Sequence, residues 1–154
     1  MKVSTSQVST HTGSFDVVSG VLRVTDPCYG IDVHCAGIVR AAVGKWRWEV
    51  TITNDSASVA AHLSTIDPSE AEDAWEVEPF DVGVDSGVFG IFEASKYSKD
   101  DLDDVYNRSG VYELDHGIAS TTGLGDGIFK CQTIKRNGIA VAVRVTSLVD
   151  DSEA

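Results

Sequence analysis

The chain has 154 residues, 42% of them hydrophobic and 23% charged, a composition that excludes an intrinsically disordered protein and predicts one folded core. Twelve Lys and Arg stand against 24 Asp and Glu, a formal charge of −12 that repels phosphate backbones and anionic membranes and argues against direct nucleic-acid binding. No run approaches the roughly 20 apolar residues that cross a bilayer, and the N-terminus lacks the apolar block of a secretory signal, so no membrane partner and a cytoplasmic location are expected.

Residues 1–14, rich in Ser and Thr, are expected to be a flexible N-terminal segment, 15–149 a single β-rich domain and 150–154 a frayed acidic tail. Within the domain, Val17 to Thr25 reads as the first strand. A strand from Gly37 to Val43 then leads across a tight turn at Gly44 into the clearest alternation of the chain. There Trp46, Trp48, Val50 and Ile52 share one face, and Lys45, Arg47, Glu49 and Thr51 the other, as a half-buried antiparallel strand requires. Ser58 to Ser64 continues the β pattern, and the acidic stretch from Asp67 to Glu78, which includes Trp75, reads as an exposed loop.

Strands follow at Phe80 to Val84 and Val88 to Phe92. A short covering helix is expected over 98–107, where Ser98 can cap, Asp100 and Asp101 suit the positive end of the dipole, and Leu102, Val105 and Tyr106 line one side. Ile118 to Thr122 is a further strand. The chain closes with a hairpin of Ile128 to Ile134 and Ile139 to Val145 around Asn137-Gly138, two residues that tolerate the positive φ of its turn. Short strands at this spacing predict a mainly β fold with minor α content, an antiparallel sandwich or a strongly bent sheet.

Chemistry-bearing motifs are sparse. Cys28, Cys35 and Cys131 form an odd set without a C-x-x-C pair, as expected of reduced thiols rather than of a disulfide framework or zinc ribbon. His11, His34, His62 and His116 have no metal-ligand spacing, and no serine sits in a nucleophile elbow. Trp46, Trp48 and Trp75 read as packing residues rather than a base-stacking platform.

Three Asp/Gly motifs stand at predicted strand ends: Thr25-Asp26-Pro27-Cys28-Tyr29, Val84-Asp85-Ser86-Gly87 and Gly123-Leu124-Gly125-Asp126-Gly127. Carboxylates from different strand ends can meet on a hard cation or serve as acid and base, while Gly123, Gly125 and Gly127 offer amides to an anion. The commoner use of each is a turn: Asp before Pro or Gly bonds its own backbone, and Gly relieves a tight bend. In their order the motifs, with Ile128-Phe129 after the third and a last strand from Ile139 to Leu148, resemble the bacterial and phage-encoded family known as domain of unknown function 4241. The resemblance spans Ser19 to Leu148 and implies a β-rich fold in a bacterial or phage protein, without an activity to carry over.

The leading expectation is a non-catalytic binding protein that presents a polar pocket or an acidic face to a small molecule or a protein partner. Its candidate ligand-binding residues are Asp26, Tyr29, Asp85, Ser86, Gly125, Asp126 and Gly127, with no catalytic or metal-ligating residue and no cofactor assigned. One alternative is a metal-assisted hydrolase of a phosphorylated or nucleotide-like substrate, with Asp26, Asp85 and Asp126 as ligands or acid and base. The other is a phage counter-defence protein that sequesters a nucleotide signal or imitates nucleic acid with its negative surface.

Overall fold

The computed structural model describes residues 9–27, 37–53, 56–84, 87–97, 107–108, 110–122 and 127–146. They form β1 (Ser9–Val17), β2 (Val21–Thr25), β3 (Gly37–Arg40), β4 (Gly44–Ile52), β5 (Ala57–Leu63), β6 (Glu76–Val84), β7 (Val88–Glu93), β8 (Asn107–Arg108), β9 (Val111–Leu114), β10 (Gly117–Thr121), β11 (Gly127–Arg136) and β12 (Ile139–Thr146). Two antiparallel sheets result, the first in the order β1-β4-β5-β12-β11-β6 and the second β3-β2-β7-β10-β9-β8. The mainly β, sandwich-like fold expected from the spacing is therefore the observed one.

The sandwich closes on the residues that alternation marks. In β4, Trp46, Trp48 and Val50 are buried while Lys45, Arg47 and Glu49 are exposed. Val59, Val82, Val143 and Val145 extend this inner face across the first sheet, and Leu22, Val24, Phe89, Ile91 and Ile118 of the second sheet join them in one cluster. Phe89 meets Phe129 across the gap edge to face, with ring centroids 5.4 Å apart. Gly13 is required by the same packing, because a methyl group there would lie 2.4 Å from Trp48 Cζ2, whose indole covers it.

The C-terminal hairpin forms as its turn residues dictate. Asn137 (φ 55°) and Gly138 (φ 80°) join Arg136 to its partner Ile139, a two-residue connection whose left-handed backbone suits the twist of the flanking strands.

Three expectations are corrected. Val17 to Thr25 is not one strand: it breaks at Gly20 (φ 78°), so β1 lies in the first sheet and β2 in the second. Gly37 to Val43 does not form a hairpin with β4; β3 ends at Arg40 in the second sheet, and Ala41 and Ala42 cross to the first, where Ala42 N–H donates to the Ala140 carbonyl at 3.0 Å. Trp46 Nε1 then donates to the Ala42 carbonyl at 2.8 Å, so a side chain of the following strand satisfies that acceptor of the crossing backbone. Residues 9–14, placed in the flexible N-terminal segment, instead belong to β1, which pairs with β4 along its whole length.

Asp67 to Glu78 is exposed over much of its length but carries a 3-10 segment, Pro68–Ala74, which the Asp67 carboxylate caps by accepting from Ser69 N–H at 3.0 Å and Ser69 Oγ at 2.7 Å. Of the helix expected over 98–107, residues 98–106 lie outside the described residues, and Asn107 begins β8.

Candidate ligand-binding groove

The outer face of the first sheet carries a groove of about 790 Å³ between strands β1, β4, β5 and β12 and the Pro68–Ala74 segment. Strand register sets its residues. Arg47 of β4 lies opposite Ser14 of β1 and His62 of β5, and Ala60 of β5 lies opposite both Glu49 and Arg144. Directly opposed side chains share a face with their Cβ atoms about 4.5 to 5.5 Å apart, so these residues form two neighbouring rows. Ser14, Ser58 and Ala60 keep the floor low, since large side chains at those positions would fill the space between Arg47 and Arg144.

One wall is preorganised. Trp75 packs against Ile134, Val141 and Ala142, which anchors its indole to the sheet. The Arg144 guanidinium lies 4.1 Å above that indole and its Nε donates to Gln132 Oε1 at 2.7 Å, which fixes the side chain and leaves its terminal nitrogens for another partner. His62 donates from Nδ1 to the Leu63 carbonyl at 2.8 Å, which orients the ring. The Asp67 carboxyl is held below its ordinary range by the Ser69 hydroxyl, then by the Ser69 backbone amide and more weakly by His62, so it is ionised at neutral pH.

The remaining charges have no internal partner. Among the described residues no hydrogen bond or ion pair engages the side chains of Lys45, Arg47, Glu49 or Glu72, and the hydroxyls of Thr12, Ser14 and Ser58 are equally unengaged. Three cations and three carboxylates thus border one hollow, in a chain whose net charge is −12.

Of the seven residues singled out from sequence, the structure describes two. Asp26 follows β2 and is fully buried, its backbone carbonyl accepting from Thr25 Oγ1 at 3.0 Å and from the Tyr97 hydroxyl at 3.4 Å. Gly127 opens β11 opposite Val84. Tyr29, Asp85, Ser86, Gly125 and Asp126 lie outside the described residues, as do Cys28 and Cys35. The flanks of the motifs are neighbours: Val84 pairs with Gly127, Thr122 N–H donates to the Gly87 carbonyl at 2.9 Å, and Thr25 pairs with Gly90. No group of three or more His, Cys, Asp or Glu positioned to hold a metal occurs among the described residues. No helix among them is long and apolar enough to cross a membrane.

Two other buried polar groups serve structure. Burial pushes the Glu93 carboxyl upward, but the hydroxyls and backbone amides of Ser19 and Ser95 together outweigh it, holding the group below its ordinary range and tying the β1–β2 turn to the end of β7. Burial, aided by nearby Glu78, pushes the Cys131 thiol up to about 12, which makes it an unreactive packing group.

No protein-family model matches the chain, and neither a curated protein nor a solved structure is significantly similar to it.

The groove escaped sequence reasoning for a definite reason. The alternation places Lys45, Arg47 and Glu49 on a solvated face, which is the ordinary fate of such residues. Only the register across three strands brings them beside His62 and Arg144. The available signal was Trp75, a large aromatic in an acidic stretch, where it marks a segment that folds back on the sheet.

Proposed function

We propose that the chain is a binding protein that takes a small polar ligand in the groove on the outer face of its first sheet. The observation that carries this reading is the set of charged and hydroxyl side chains that border the groove without partners inside the protein, beside an Arg144 already oriented by Trp75 and Gln132. A volume near 790 Å³ lies in the range of roughly 300 to 1,000 Å³ typical of small-ligand sites. Residues on neighbouring strands also hold their spacing better than residues on loops. The family resemblance assigns no activity, so the reading rests on the groove.

Thermal unfolding with millimolar inorganic phosphate, citrate, adenosine monophosphate and lysine-containing tripeptides tests it, since a ligand bound only to the native state raises the melting temperature by mass action. At least one probe should give a saturable rise that Arg47→Ala removes. A flat response to every probe, or a rise that survives the substitution, would contradict the proposal.

A further inference from the structure

Resting on that reading, we infer that the ligand is zwitterionic: a short peptide whose carboxylate is held at Arg47 and whose ammonium group is held at Glu49. The charges bordering the groove are of both signs, a lining that favours a ligand carrying both. Lys45, Arg47 and Arg144 would repel a cation, and Glu49, Asp67 and Glu72 an anion. Along β4 the exposed face reads Lys45, Arg47, Glu49, so the sign changes between two residues on one strand face. Their spacing of about 6.6 to 6.8 Å, two strand residues, is comparable with the separation of a terminal carboxylate from the ammonium of a C-terminal lysine.

The rest of the lining agrees with a peptide. The Arg47 fork takes a carboxylate in bidentate fashion, and Ser14 directly opposite adds a hydroxyl donor. Thr12, opposite Glu49, and Ser58 offer further hydroxyls to a peptide backbone crossing the floor. A nucleotide base, by contrast, needs an open aromatic face. Trp75 has Arg144 on its ring and the Ile134, Val141 and Ala142 cluster against it, and the Trp48 ring is buried in the core over Gly13.

Titration calorimetry with N-acetyl-Gly-Gly-Lys, which carries one carboxylate and one ammonium, tests the inference against three probes: its C-terminal amide, N-acetyl-Gly-Gly-Ala and inorganic phosphate. The zwitterion should bind at least tenfold more tightly than each single-sign probe. Arg47→Ala should abolish the preference for the free acid over the amide, and Glu49→Gln the preference for lysine over alanine. Both positions are exposed, and unchanged melting temperatures of the free variants would show that the fold is intact. Binding of phosphate or N-acetyl-Gly-Gly-Ala as tight as the zwitterion, and lost in Arg47→Ala, would overturn the zwitterion and leave the groove as an anion site. Absence of binding by the zwitterion, with adenosine monophosphate still stabilising the protein through Arg47, would do the same. Absence of Arg47-dependent binding by every probe would overturn both readings.

Discussion

The two sheets share an inner core and differ on their outer faces. On the second sheet the outer face is itself buried over β2, β7 and β10: Val88, Phe92, Tyr97, Leu114 and Ala119 form a separate cluster, Arg23 lies 4.9 Å from the Tyr97 ring centroid, and β7 is buried at every position. On the first sheet the corresponding face holds lysine, arginine, glutamate and small hydroxyl residues around an open groove, with apolar packing only under Trp75. One face of the sandwich thus stabilises the fold and the opposite one is left available. Charges that neither pair with each other nor cover the core contribute little to stability, and a surface of that kind can be committed to binding without weakening the protein.

The largest effect that follows is on the second sheet. Phe92→Ala empties a fully buried position and should cost about 3 to 5 kcal/mol in equilibrium denaturation. A loss below about 1 kcal/mol would mean that this outer face is not a second core.

Next is Glu93→Gln, which leaves the Ser19 and Ser95 donors with a weaker acceptor and should cost about 1 to 3 kcal/mol at neutral pH. Because the folded carboxyl titrates below its unfolded value, the stability it contributes is present above the unfolded pKa and is lost as pH falls through the folded one. Denaturation curves of wild type and variant should therefore converge in acid, and a gap independent of pH would contradict an ionised Glu93.

A smaller loss, about 1 to 2 kcal/mol, is expected of Gly138→Ala, since an L side chain is strained at φ 80° although nothing lies within 4 Å of the added methyl. The smallest is Arg47→Ala, which should shift stability by no more than about 0.5 kcal/mol. A large destabilisation there would make Arg47 part of the scaffold and erase the contrast between the two faces.

Much of the fold was legible in the sequence because period-two alternation reports directly on burial. Trp46, Trp48 and Val50 went inside as the pattern requires, and Asn137-Gly138 set the last hairpin through backbone conformation alone. Assignment of strands to sheets was not legible, since Val18 to Gly20 and Ala41 to Val43 are too short to separate a turn within one sheet from a crossing between two. The groove was hidden for a related reason. Arg47, His62 and Arg144 are far apart in sequence and meet only through the β4-β5-β12 register. Asp26 drew attention by its motif, yet its side chain is fully buried behind β2, a placement that no spacing rule distinguishes from an exposed turn.

The most direct measurement is amide chemical-shift mapping of the protein titrated with N-acetyl-Gly-Gly-Lys. Perturbations should concentrate on Ser14, Lys45 to Glu49, Ser58 to His62 and Arg144. Perturbations confined to the strand ends around Asp26, Val84 and Gly127, with the outer face of the first sheet silent, would contradict binding in the groove.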